Sequence, residues 1–386
     1  MRDNCKVLKG LRETDLSFCN EAASFLQSGF WGSFKARFGW EARAYRVEWE
    51  TPASPQSDKC PCEVSGADSA KPLLVLSRPL SAGFSFAYIP WGPELPEEFL
   101  VDSSAGAGLR RAALKELSEM LKEKLPRDTA FIRFDPPWFV KQTGYAEGLT
   151  VSTPSVPLPF IHAGADIQPP DTVLVDLRPS MESVLQQMKP KWRYNARLAL
   201  KKGVTVRRAG PEAINVFYDL LKETARRDGI ATHGIEYYRT LLEEGQGSVL
   251  TISLYLAEHE GDLLAAIVTL FRGKDAIYLY GASSDKKRSL MAPYALQVKA
   301  MEDAQAAGCS TYDLFGIPPD EDPSHPMAGL YRFKTGFGGR IIHRPGSWDY
   351  PCRPVFYRLF RCAETLRKNV RTLKKKFRRG MRNANI

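Results

Sequence analysis

The chain has 386 residues, 44% apolar and 25% charged, a balance that excludes a disordered or collagen-like polymer and suits about two folded domains. Its net charge of +10 is unevenly placed: Arg358 to Arg382 holds 11 basic residues and one acid, Glu364, and the remainder is neutral as a whole. No run approaches the ~20 apolar residues of a membrane-spanning helix, Met1–Gly10 leads into no apolar signal core, and seven scattered cysteines give no disulfide framework, so the expected location is cytoplasmic.

In chain order, Asp15–Leu26 and Phe30–Phe38 are predicted helices and Ala42–Glu50 a strand. Thr51–Pro72, rich in Pro, Ser and Asp, reads as an insertion; its Cys60-Pro61-Cys62 has no nearby His or Cys and reads as surface loop rather than zinc site. Strands at Leu73–Ser77 and Phe84–Ile89, a helix at Gly106–Lys124 and a strand at Ala130–Phe134 follow. Pro154–Pro170, with five prolines, is the expected connection. Beyond it come a strand at Thr172–Leu177, one long helix at Met181–Lys202 stopped by Gly203, and helices over about 211–228 and 236–243. Three β-rich runs, Gly247–Glu258, Leu263–Arg272 and Ala276–Gly281, are separated by the tight turns Glu260-Gly261-Asp262 and Gly273-Lys274-Asp275. A helix at Pro293–Ala307 and a strand at Thr311–Phe315 complete the second half.

Both halves read helix, helix, three strands, helix, strand, a structural repeat without sequence repetition. A meander of antiparallel strands followed by helix and strand is the order of the acyl-CoA N-acyltransferase (GNAT-like) fold. The expected class is therefore α/β (α+β): two GNAT-like acyltransferase domains in tandem, with mixed, largely antiparallel sheets and a basic C-terminal helix.

Five segments point further. They are Gln27-Ser28-x-x-Trp31-x-x-x-Lys35; Tyr88-x-Pro90-x-Gly92-Pro93; Lys189-Pro-Lys-Trp-Arg-Tyr-Asn-Ala-Arg197 running on to Val204; Tyr280-Gly-Ala-Ser with Leu290-Met-Ala-Pro-Tyr294; and Gly329-Leu-Tyr-Arg-Phe-Lys334-x-Gly-Phe-Gly-Gly339 with Gly346-Ser-Trp-Asp-Tyr350. In this order and over most of the chain, they resemble the Fem family of peptidoglycan-bridge aminoacyltransferases, in the compact form without a helical-hairpin insert. The resemblance implies transfer of an amino acid from aminoacyl-tRNA to the side-chain amine at the third position of a stem peptide. The acceptor is a UDP-linked or lipid-linked muramyl pentapeptide. It also implies that the chain after Gly346 returns to the first domain, which gives domains of 1–168 plus 346–386 and 169–345.

The resemblance assigns Lys334 as the catalytic lysine that stabilises the tetrahedral oxyanion, Phe333 to the tRNA acceptor end, and Lys35 to the acceptor diphosphate. It matches Tyr88, Tyr237 and Tyr280 to pocket tyrosines. His233 stands where the spacing to Tyr237 suggests a diphosphate-binding arginine, and Pro93 where an aspartate is implied; both are departures. From the residues alone, Lys191, Arg193, Arg197, Lys201 and Lys202, interleaved with Trp192 and Tyr194, form a phosphate-tracking surface for tRNA. Leu359, Ala363, Leu366, Val370, Leu373 and Phe377 give the cationic C-terminal helix an apolar stripe, suited to RNA or to an anionic membrane surface at the inner face of the cell membrane. A solvated face packed on the first domain is the plain alternative.

Ser283–Pro293, where acyl-CoA enzymes carry a Gly-rich pyrophosphate loop, contains no glycine, so coenzyme A is disfavoured; Lys286, Lys287 and Arg288 read as a solvated turn. No metal constellation is evident and no cofactor is expected; a monomer is. Asp313, at a strand end, is left unassigned. Two readings compete with the aminoacyltransferase: a non-catalytic RNA- or membrane-binding scaffold, and an acyl-CoA-dependent N-acyltransferase.

Overall fold

The structure is a computed structural model that describes residues 7–50, 70–80, 83–101, 103–138, 141–143, 159–247 and 249–366. Cys60-Pro61-Cys62, most of the predicted insertion, the start of the proline-rich connection and the tail from 367 lie outside the described residues.

The first elements are β1 (Leu8–Thr14), α1 (Gly29–Ala36), β2 (Glu41–Trp49), β3 (Lys71–Pro79), β4 (Ser85–Ile89), α2 (Ser104–Lys124), β5 (Thr129–Phe134) and β6 (Lys141–Thr143). They are followed by β7 (Ile161–His162), β8 (Asp171–Asp176), α3 (Met181–Gln187), α4 (Pro190–Lys201), β9 (Thr205–Ala209), α5 (Ile214–Asp228) and α6 (Ile235–Glu244). The last are β10 (Thr251–His259), β11 (Asp262–Arg272), β12 (Asp275–Ser283), α7 (Ala292–Ala306), β13 (Thr311–Asp313), α8 (Ala328–Thr335), β14 (Arg340–His343), β15 (Trp348–Pro351) and a helix α9 over 354–366.

These elements form two compact units, Met1–Trp138 with Pro154–Gln168 and Pro345–Ile386, and Phe139–Thr153 with Pro169–Arg344. The sequence expectation placed all of 1–168 in the first domain. β6, within that expected domain, pairs antiparallel with β14 of the second unit.

The first unit holds a seven-stranded sheet in the order β1-β2-β3-β4-β5-β15-β7. β1 to β4 form an antiparallel meander, α2 crosses over, and β5 lies parallel to β4. Leu114, Leu117 and Leu121 of α2 recur at helical spacing and pack on Tyr45, Val75, Ile132 and Phe134 of the sheet. β1 was not foreseen, and Asp15–Leu26 is not one helix but two short 3-10 turns capped by Asp15 and Ser24. Short polar side chains there bond to local backbone N–H groups and end each turn early.

The second unit repeats the plan in an eight-stranded sheet, β6-β14-β8-β13-β12-β11-β10-β9. The β10–β11 hairpin turns through Glu260 and Gly261, both at positive φ (51° and 80°). After β12, α7 crosses over and β13 lies parallel to β12. Leu296, Ala300 and Ala304 of α7 pack with Tyr255, Ala257, Leu264 and Ile267.

One expected element is corrected. Met181–Lys202 is two helices, because Pro190 occupies the first position of α4 and holds Lys189 extended, at ψ 139°.

Candidate active site

Lys334 lies in the last turn of α8, only 6% exposed. Its Nζ donates to the carbonyls of Phe315 (3.1 Å) and Gly316 (2.9 Å), just past β13, and sits 5.0 Å from the centre of the Tyr278 ring on β12. Burial pulls its pKa down to about 7, opposed by the charge of Asp313. Asp313 was left unassigned by the sequence reading, which had no means of linking a strand-end acid to a lysine on a later helix. It is buried, accepts hydrogen bonds from Thr172 Oγ1 and from the Phe315 N–H (2.8 Å for the latter), and is raised in pKa by burial against the pull of Arg344.

Three of the quoted segments meet beside Lys334. The Trp192 Nε1–H of α4 donates to the Phe333 carbonyl (2.8 Å), and the Trp192 ring stands edge-on to Tyr294 at 5.7 Å. Tyr294 and Phe337 contact the half-buried Phe333 ring at 5.3 and 5.0 Å. The glycines of this stretch have a packing reason. A Cβ on Gly336 would lie 2.1 Å from the Trp192 indole, and one on Gly339, at φ 89°, would lie 2.3 Å from the Leu174 carbonyl.

On α4, Lys191, Arg197, Lys201 and Lys202 are exposed. Arg193 is engaged differently: its Nη1 donates to the carbonyls of Gln186 (2.6 Å) and Met188 (3.1 Å), satisfying the C-terminal end of α3. Lys286, Lys287 and Arg288 pair with Asp262, Glu260 and Asp285 at 3.1, 3.0 and 3.4 Å.

Tyr237, Tyr280 and His233 come together. The Tyr280 hydroxyl donates to Tyr237 Oη at 3.4 Å, and the exposed His233 ring lies nearly parallel to Tyr237, centroids 3.8 Å apart. Tyr238, which the sequence reading passed over, stands edge-on to Tyr280 at 5.1 Å. Burial raises Tyr237 and Tyr238 to about 12, so both stay neutral donors. Tyr278 and Tyr280 flank a β-bulge in the β11–β12 pairing, a device that re-aims side chains beside functional sites. The bulge links the Lys334 corner to the tyrosine group.

In the first unit, Gln27 bonds both Leu74 and the Pro90 carbonyl, tying β3 to the end of β4, while Ser28 caps α1. Lys35, two turns along α1, has its Nζ 5.4 Å from the Trp31 ring and 5.7 Å from Trp40. Arg78 lies over the same Trp40 ring at 5.5 Å. Burial, and then the charge of Arg78, bring Lys35 down to about 8. Sequence reasoning missed Arg78, which comes from β3.

Tyr88, 2% exposed, donates its hydroxyl to Asp135, and Ser347 donates to the other oxygen of the same carboxylate. Burial pushes Asp135 up to about 6, against those two hydrogen bonds. Tyr88 is therefore a buried donor to Asp135. Pro93, the second departure, is buried beside Gly92. Asp349, also from the Gly346–Tyr350 segment, holds Arg133 through two bonds of 2.7 and 2.8 Å.

Among the described residues no helix is long and apolar enough to cross a membrane, and no group of three His, Cys, Asp or Glu could hold a metal ion.

Two mixed α/β units, each a meander with one parallel crossover pair, define a tandem acyltransferase-like protein. The FemAB family pattern matches residues 158–258 and 255–365, and the chain belongs to that family. It is 25% identical over 414 aligned positions to the lipid II:glycine glycyltransferase of Staphylococcus aureus strain MRSA252, covering 88% of this chain and 91% of that one. The same protein of strain USA300 is 25% identical, with 86% and 89% covered. A crystal structure of FemX superimposes with a TM-score of 0.68 at 20% identity, covering 89% of this chain and 97% of that chain, which establishes a shared fold.

Proposed function

We propose that this protein moves an amino acid from aminoacyl-tRNA to the side-chain amine of the third stem-peptide residue of a peptidoglycan precursor, with the lipid-linked muramyl pentapeptide as acceptor. The amine nitrogen attacks the ester carbonyl carbon, a C–N bond forms, the C–O bond to the terminal ribose breaks, and the released hydroxyl keeps a proton lost by the amine. The observation that carries this reading is Lys334: a buried side-chain amine whose Nζ donates to two carbonyls, beside a half-exposed aromatic ring. Its ammonium form, favoured as negative charge develops beside it, stabilises the oxyanion formed on attack.

Phe333 offers a face for stacking an unpaired terminal base, and Lys191, Arg197, Lys201 and Lys202 offer phosphate contacts along α4. Arg193 is left to its structural role. Lys35 and Arg78, cations on one tryptophan ring, suit the acceptor diphosphate. Tyr237, Tyr280 and His233, in the second unit, are a group of polar rings suited to the hydroxyls of a sugar-bearing substrate.

The test is transfer of radiolabel from a mixed pool of charged tRNA to the lipid-linked muramyl pentapeptide, then to the UDP-linked form, with lysine- and ornithine-bearing acceptors. Labelling of the lipid-linked form is expected. Labelling of neither, from any charged tRNA, moves the protein to the binding-scaffold reading.

A further inference from the structure

Helix α9 is pinned to the first unit by one face and bare on the other. Phe356 stacks on Phe84 at 3.7 Å, Phe360 meets Phe131 at 5.2 Å, and the Tyr357 hydroxyl donates to Asp349 at 2.8 Å. Opposite them, Val355 is 74% exposed and Leu359 and Leu366 are each 64% exposed, with Cys362 exposed between them. At 100° a residue, these four side chains fall within about 60° of arc, a single narrow stripe.

The stripe has a continuation in the sequence: Val370, Leu373 and Phe377 keep the same three- and four-residue spacing. Around them the composition changes. From Arg358 to Arg382 every charge but Glu364 is positive, and the 11 cations account for a net +10 in a chain that is otherwise neutral. A neutral body with one apolar-striped helix that leads into a cationic sequence is asymmetric in the manner of proteins that rest on anionic bilayers.

We propose that helix α9 is a peripheral membrane-docking surface that lies along an anionic lipid bilayer, with Val355, Leu359, Cys362 and Leu366 entering the headgroup boundary and the cations of this part of the sequence meeting lipid phosphates. The aliphatic side chains decide between lipid and nucleic acid. Binding to RNA phosphates uses the cations and gains nothing from exposed leucines, whereas an interfacial helix needs both. The proposal does not rest on the aminoacyltransferase reading: a scaffold with this helix would dock equally, and an enzyme acting on a soluble acceptor could lack docking.

The test is co-sedimentation of the full chain with sucrose-loaded vesicles of phosphatidylglycerol and phosphatidylcholine (1:1) against pure phosphatidylcholine, with binding of uncharged tRNA measured in parallel. The wild type is expected to bind the anionic vesicles and to lose most of that binding in high salt. Leu359→Glu with Leu366→Glu is expected to lower partitioning by a factor of about ten or more while leaving tRNA binding within twofold. Both positions are exposed, and an unchanged melting temperature of the variant checks that the body is intact. No binding of the wild type to anionic vesicles overturns the proposal without any variant. So does a folded double variant that binds vesicles as well as the wild type, or one whose tRNA affinity falls in step with vesicle binding.

Discussion

Replacing Lys334 by Met keeps the length of the side chain and removes its charge, and it should separate activity from stability. The ammonium is 6% exposed, and burial brings its pKa from 10.5 to about 7. That difference corresponds to roughly 5 kcal/mol between the two protonation states, and about half of it survives because the Asp313 charge is perturbed together with the lysine. The sign follows from proton binding. Between pH 7 and 10 the unfolded chain carries the lysine proton and the folded chain has mostly lost it, so the wild type gains stability as pH rises across that window. Below pH 7 both states are protonated and the full penalty of burying the charge is present. The Met variant lacks this gain, so the stability difference between wild type and variant should change by about 2–4 kcal/mol from pH 7 to pH 10, read from urea midpoints. Meanwhile single-turnover transfer of labelled amino acid should fall by a factor of about 10² to 10³, the usual loss of one oxyanion donor. Unchanged transfer by the folded variant removes Lys334 from the mechanism. A stability difference that is flat with pH refutes the account of its burial.

Three further outcomes follow from the geometry. Gly336→Ala places a methyl 2.1 Å from the Trp192 indole and should destabilise the protein by about 2–3 kcal/mol, seen as a lower urea midpoint; an unaltered midpoint contradicts the packing reason for this glycine. Asp135, raised to about 6 by burial, binds a proton more readily in the folded state, so stability from this group is greatest below pH 4 and declines as pH rises to 6; Asp135→Asn should flatten that part of the profile by about 3 kcal/mol, and an identical slope would argue against a buried charge there. Lys35→Met should raise the KM for the acceptor at least about tenfold with little effect on kcat, and equal losses in both would place Lys35 outside acceptor binding.

The fold was largely legible because both halves carry the same order of hydrophobic runs and turn residues. Glu260-Gly261 and Gly273 gave the hairpins, and Gly203 and Gly308 the ends of helices. The misses have local causes. Pro190 lies at a position where a helix can begin as readily as end, so periodicity alone merged α3 with α4. Strand β1 is an edge in which only Leu8 and Leu11 are buried, three residues apart, so it shows no strand alternation and has too little apolar content to announce it. At the candidate site, the segments were visible but their meeting was not. Arg78 comes from β3 to meet Lys35 of α1, Asp135 follows β5 to meet Tyr88 of β4, and Asp313 precedes Lys334 by a loop and most of a helix. Arg193 read as one cation among five, and only the position of the α3 carbonyls distinguishes it.

A common electrostatic feature joins the two units. Each holds a lysine beside aromatic rings whose pKa is depressed by burial, to about 8 at Lys35 and about 7 at Lys334. At pH 7.5 the first is then about three-quarters protonated and the second about one-quarter. Negative charge arriving beside either lysine favours its ammonium form, so ligand binding should draw protons from solution, and affinity should fall as pH rises through the same range. Acceptor diphosphate tests Lys35, since the phosphates carry charge in the ground state. In the proposed reaction Lys334 would meet full negative charge only as the oxyanion develops, so its proton uptake should appear with an uncleavable tetrahedral phosphonate analogue of the aminoacyl ester and not with uncharged tRNA. Isothermal titration in buffers of different ionisation enthalpy measures this directly. The expected uptake near pH 7.5 is about a quarter of a proton for the diphosphate, and for the phosphonate up to about three-quarters of a proton that Lys334→Met abolishes. Equal uptake by wild type and Lys334→Met would mean that the phosphonate is protonated elsewhere, and Lys334 would then be a structural lysine held by the carbonyls of Phe315 and Gly316.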